Sequence, residues 1–245
     1  MDQYDQLIKQ GDQALLREKN MDAVRAYTSA LSLKDSEDEQ TAELLYKMSQ
    51  AYAALDSKNM DNPKKYAVRA LDIHKKIGMK ELEVLDLLNL AYIDSLAGDS
   101  ASSNSSLESA LSLSREIGDG SLIATSLMSK ADSLSGRSST RKEAQKLFAE
   151  ASLIAEKDNA WETYFEAQYG LIGIMRANSD PEGAFAATTK LLDKVDQVCK
   201  SIPNKKERAD FRKSLSYLYD LGSDLAMELE NVEEAIKIAQ RLREA

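Results

Sequence analysis

The sequence predicts an all-α fold, a right-handed α-solenoid of about six helical hairpins. Three observations carry that reading. An Ala-Leu pair recurs every 40 residues, at Ala30-Leu31, Ala70-Leu71 and Ala110-Leu111, with a weaker copy at Ala151-Ser152, a fifth slot at Leu191-Leu192 and a last one at Leu242. A fixed period of this size marks stacked supersecondary units, each too small to bury its apolar face alone. Small and large apolar residues also alternate at helical spacing, the pattern that fills a core to native density. Finally, 10 Gly and 3 Pro in 245 residues, with 43% apolar and 30% charged side chains, suit an ordered helix-rich chain. Length alone allows one or two domains; the repeat favours one solenoid over 1–245.

The first unit, about 4–40, sets the grammar. Leu7, Gly11 and Ala14 form one stripe; Ala23, Tyr27 and Ala30, four and three apart, share the facing side of a second helix. The second unit, 41–80, repeats Tyr66, Ala67 and Ala70 after Pro63, a residue suited to a first helical turn. It ends in Ile77-Gly78, and the third unit, 81–120, ends likewise in Ile117-Gly118; glycine there can take the left-handed conformation that stops a helix. In the third unit Ser103 and Leu107 replace the Ala and aromatic, although Gly98-Asp99 marks its turn. The fourth, 121–158, restores Ala144, Phe148 and Ala151. The fifth, 159–200, departs most, with Thr188 and Leu191 at the Tyr and Ala positions. The sixth, 205–245, begins after Ile202-Pro203-Asn204 with a long helix and carries Ala235, Ile236 and Ala239. With no polar capping helix, its apolar residues Ile236, Ala239 and Leu242 are expected to meet a missing domain, a second copy in a homodimer or a frayed end, since Arg243-Glu244-Ala245 still reads as helix.

Gly11, Ala23, Tyr27 and Ala30 resemble the tetratricopeptide repeat (TPR) pattern, and the likeness covers nearly the whole chain. The 40-residue period exceeds the usual ~34 and is similar to the long repeats of Pins-type adaptors, kinesin light chains and bacterial Rap-type or maltose-regulator-type sensors. Phe211 to Glu244 also resembles the repeats preceding CHAT-type protease domains. The resemblance implies a non-catalytic scaffold that binds a peptide or helix of a partner protein in its concave groove, or alternatively a regulatory, peptide-sensing module of a larger signalling or protease-associated system.

Charge and chemistry narrow the alternatives. A net charge of −9 without a basic stripe argues against nucleic acid; Lys64-Lys65, Lys75-Lys76 and Lys205-Lys206 read as solvated faces. The acidic start and the lack of a long apolar run predict a cytoplasmic chain with no membrane span. Cys199 and His74 are the only Cys and His, about three repeats apart, so neither a nucleophilic dyad nor a zinc site is expected, and no cofactor is implied. Cys199 reads as buried and structural, His74 as a partner for the last carbonyls of its helix. Glu37-Asp38-Glu39 reads as a solvated linker, Ser100 to Ser106 as a polar helix start, and Trp161, Tyr164, Phe165 and Tyr169 as packing between the fourth and fifth hairpins.

Groove contacts in the resembled family come from polar residues of each first helix. The matching positions are Tyr46, Lys47 and Gln50 in unit two, Asn89 and Tyr92 in unit three, and Ser129 and Asp132 in unit four. Asn89, in Asn89-Leu90-Ala91, matches the asparagine with which Pins-type adaptors clamp a peptide backbone; an amide both donates and accepts. The carboxylate clamp of other TPR proteins fits poorly, because its Lys and Asn fall on Ile8 and Asp12.

Overall fold

The computed structural model describes residues 2–55 and 59–243; residues 1, 56–58, 244 and 245, including the expected helical Glu244-Ala245, lie outside the described residues. The chain divides into two compact units, Met1–Ser129 and Lys130–Ala245. Among the described residues every regular element is helical.

In the first unit consecutive helices pair as hairpins: α1 (Gln3–Leu16) with α2 (Asn20–Leu31), α3 (Glu39–Leu55) with α4 (Asp61–Ile77), and α5 (Lys80–Leu96) with α6 (Ser100–Ile117). The 40-residue period survives as burial, since Ala30, Ala70 and Ala110 are all fully enclosed. Tyr27 shows why the first helix carries glycine. Its ring lies over Gly11, where even a methyl group would overlap it, and enclosing that ring contributes about 1.5–3 kcal/mol. Ser103 and Leu107 depart from the repeat pattern without breaking it. Both are buried, and the Ser103 hydroxyl donates to the Ala91 carbonyl at 2.8 Å.

Turns follow the sequence closely where glycine marks them. Gly78, Gly98 and Gly118 all adopt positive φ, at 76°, 78° and 80°. Asp38 caps α3 by accepting from the Thr41 amide at 2.9 Å, and Asp99 caps α6 through the Ser102 amide at 3.0 Å. The acidic linker is therefore partly a cap, and the serine run does begin a helix.

α7 (Gly120–Ser135) carries the chain from one unit to the next. In the second unit α8 (Arg141–Lys157) packs on α9 (Trp161–Ala177), and α9 on α10 (Pro181–Ser201). Phe148 lies over Gly170 as Tyr27 lies over Gly11. The expected long helix after Pro203 is instead two, α11 (Lys205–Ser214) and α12 (Ser216–Glu228), broken at Leu215. The buried Leu215 side chain joins the core at this break, so α12 can pack on α10 and pair with α13 (Val232–Arg243). The aromatic cluster also differs from expectation. Phe165 sits in a core shared with α10 and α12, Trp161 and Tyr164 pack against it, and Phe211 of α11 lies 6.2 Å from the Phe165 ring. The cluster thus joins the fifth hairpin to the sixth. On α13 the buried face is Ala235 and Ile238, with Leu242 against the core, while Ile236 and Ala239 face outward.

No described helix is long and apolar enough to cross a membrane. Cys199 is buried, and burial pushes its thiol pKa up.

Candidate binding groove on the first helices

Helices α1, α3 and α5, the first of each hairpin in the first unit, line two adjoining pockets. One, about 250 Å³, lies between α1 and α3 among Tyr4, Ile8, Asp12, Gln40, Glu43 and Lys47. The other, about 340 Å³, lies between α3 and α5 and includes Tyr46, Lys47, Gln50, His74, Leu85 and Asp86. Glu43 and Lys47 border both, so the two form one groove across three helices.

The Lys47 ammonium bonds both Asp12 oxygens at 3.1 Å, and the Tyr27 hydroxyl donates to Asp12 Oδ1 at 2.7 Å. Asp12 is therefore neutralised from the neighbouring hairpin and does not stand as an isolated repelling charge.

The floor of the second pocket is the least expected feature. His74 does not serve helix-end carbonyls. Its Nδ1 lies 2.6 Å from Asp86 Oδ2, and both side chains are almost wholly buried, at 3% and 1% exposure. A carboxylate beside Nδ1 selects the tautomer with the proton there. His74 Nε2 is then a bare acceptor. It has no partner, and neither has Asp86 Oδ1. Burial holds the Asp86 carboxyl at a pKa of about 6, against the pull of His74. Tyr46 stands close enough for burial and the Asp86 charge to raise its own pKa. Two residues with unpartnered buried acceptors in a pocket also lined by Tyr46, Leu82 and Leu85 suit a long side chain with an apolar stem and several donors at its tip.

The seven sequence-predicted positions divide. Tyr46, Lys47 and Gln50 line the α3–α5 pocket. Asn89 is 8% exposed, and its amide donates to the Ser49 hydroxyl at 2.6 Å, tying α5 to α3. Tyr92 is 59% exposed on α5. Ser129, half-buried, is the last residue of the first unit, and Asp132, exposed, belongs to the second. There desolvation by neighbouring protein atoms and the Glu166 charge raise the Asp132 pKa, and desolvation and Glu162 raise that of Glu166, although both residues keep solvent exposure. Tyr169 and Tyr217 meet edge-on at 5.1 Å, the Tyr217 hydroxyl is buried without a partner, and burial pushes its pKa to about 12. The first-helix face of the second unit is thus also acidic and aromatic.

The sequence does not single out Asp86, Leu82 or Leu85, and it places His74 at helix-end carbonyls rather than against Asp86. The available signal was Asp86 standing inside the apolar run Val84, Leu87, Leu90, where an ionisable group needs a buried partner. Among the described residues no three His, Cys, Asp or Glu side chains gather as a metal site.

This geometry, helical hairpins with small residues between them and a groove along the first helices, defines a TPR-like repeat module. Solved structures agree. Aspartyl phosphate phosphatase F from Bacillus subtilis superimposes with a TM-score of 0.65 at 17% identity, over 98% of this chain and 69% of that one. The Rap conjugation gene regulator of plasmid pLS20, in complex with the Phr* peptide, gives 0.61 at 17% identity, over 97% and 74%. A kinesin light chain protein from Podospora anserina with nearly identical TPR-like repeats gives 0.60 at 15% identity, over 79% and 96%. No family model and no curated protein matches the sequence. The fold is an all-α, TPR-like solenoid.

Proposed function

We propose that this chain is a non-catalytic interaction module that holds a peptide or helix of a partner protein along α1, α3 and α5, and that its α3–α5 pocket takes an arginine or lysine side chain. The carrying observation is the pair of unpartnered buried acceptors, Asp86 Oδ1 and His74 Nε2, on two residues that line a pocket also containing Glu39 and Glu43. Lys47, the one Lys or Arg among the described lining residues, is already bound to Asp12 and Glu43. A buried acceptor without a donor costs about 1–3 kcal/mol, and a guanidinium brings five donors in a rigid fork. The net charge of −9 steers such a ligand inward.

A His–Asp pair also suggests a general base. No Ser, Thr or Cys stands beside it among the described lining residues, and we assign the pair to recognition. A regulatory, peptide-sensing role is the more specific form of the proposal, favoured by the similar fold of the pLS20 regulator in complex with the Phr* peptide.

Peptide-display selection against the full chain tests the reading. Arginine- or lysine-bearing peptides should be enriched, and Asp86→Asn should weaken them on the order of tenfold with unchanged helicity. Enrichment of acidic peptides, or equal affinity for the variant, would refute it.

A further inference from the structure

A third pocket, outside the groove, lies in the second unit and has the opposite charge. It has a volume of about 510 Å³ and is lined by Lys200, Lys205, Arg208, Arg212 and Arg241, with Asp196 and Cys199. Five cations face one carboxylate in a chain whose net charge is −9. Dispersed surface lysines would not produce this. Lys205, Arg208 and Arg212 fall three and four residues apart, on one face of α11, and the break at Leu215 sets that face against α10 and α13.

The cations are unequally satisfied. Arg241 Nη2 meets Asp196 at 2.6 Å and Asp193 at 3.0 Å; Arg212 Nη1 meets Asp196 at 3.0 Å and donates to the Arg241 carbonyl at 3.1 Å. Asp196 thus lies within ion-pair distance of both arginines, although its buried Oδ1 makes no hydrogen bond. Lys200, Lys205 and Arg208 make no ion pair among the described residues. Arg212 Nε is buried and has no acceptor. A buried donor without an acceptor costs free energy that an oxyanion would recover.

We propose that this pocket binds a multiply charged phosphoryl oxyanion, with Arg208 and Arg212 as the forked donors and Lys200 and Lys205 as the outer charges. Guanidinium forks match phosphate oxygens bidentately, whereas ammonium groups add charge with little directional demand. The bound anion ties α10, α11 and α13 together, and so stabilises the second unit by an amount that grows with the logarithm of the free anion concentration above its Kd.

The test uses the full chain with inorganic pyrophosphate and a phosphoserine peptide in parallel, read by calorimetry and thermal melting. Binding of either supports the pocket, and the tighter of the two identifies the source of the phosphoryl group. Arg208→Gln and Lys205→Gln, which disturb no ion pair, should each weaken binding on the order of tenfold. Lys142→Gln, an exposed charge on α8, should leave it unchanged. The proposal fails if neither probe binds at millimolar concentration, if Lys142→Gln weakens binding as much as Arg208→Gln, or if a glutamate-rich peptide competes as well as pyrophosphate.

Discussion

Asp86 and His74 concentrate in one contact what this fold asks of a single side chain. Burial lifts the Asp86 carboxyl pKa from 3.8 to about 6, so the folded chain holds that proton more firmly than the unfolded chain does. The contribution of this group to folding is therefore complete below pH 3.8 and is lost as the pH rises through about 6. Asp86→Asn keeps the shape and an acceptor for His74 but never ionises. Relative to the parent, the variant should gain stability as the pH is raised from about 4 to about 7, measured by urea midpoints across that range. A difference that does not vary with pH would show that Asp86 ionises as freely in the folded chain as in the unfolded one. The sequence pointed to Tyr46, Lys47 and Gln50 because first-helix register is periodic and can be counted. It did not point to His74, since the pairing of residues 74 and 86 depends on how α4 turns against α5, and periodicity leaves that angle open. The same limit applies to Lys64. It reads as a solvated cation, yet it reaches the nearly buried Asp94 at 2.6 Å.

At the level of elements, helix placement was legible wherever a turn needed glycine. Gly78, Gly98 and Gly118 are written into the chain because their φ values demand it. Four other turns use the same left-handed conformation without glycine, at Glu18, Asn159, Ser179 and Glu230, with φ between 55° and 61°. Of these only Asn159 is a residue type that favours the conformation, and three of the four lie in the second unit, where the repeat pattern weakens. The break at Leu215 is marked only weakly, by the poor helix formers Ser214 and Ser216, and tertiary burial of Leu215 decides it. The left-handed conformation costs a non-glycine residue about 1–2 kcal/mol, and glycine gives back about half of that in unfolded-chain entropy. Ser179→Gly should therefore stabilise the chain by about 0.5–1 kcal/mol, seen as a higher melting temperature. A lower one would mean that the Ser179 side chain holds the turn in a way the backbone does not show.

For the whole molecule, the repeat argues for a one-dimensional logic in which each hairpin depends on its neighbours, and stability is a sum of local and nearest-neighbour terms. The cores obey it. One cluster runs from Phe165 through Leu192 and Leu218 to Ile238, entirely within the second unit, while Tyr27, Leu44 and Met48, and then Val84, Leu90 and Ile93, belong to clusters of the first. Trp161, the one tryptophan of the chain, packs against the second unit's cluster, so its fluorescence reports that unit, whereas far-ultraviolet circular dichroism reports every helix. Leu218 is fully enclosed, and Leu218→Ala should remove about 2–5 kcal/mol. In urea the Trp161 transition should then move to lower denaturant, while circular dichroism splits, its later phase staying at the parent midpoint as the first unit unfolds on its own schedule. If fluorescence and circular dichroism shift together and remain superimposable, the two units unfold as one cooperative body, and the nearest-neighbour description does not hold for this chain.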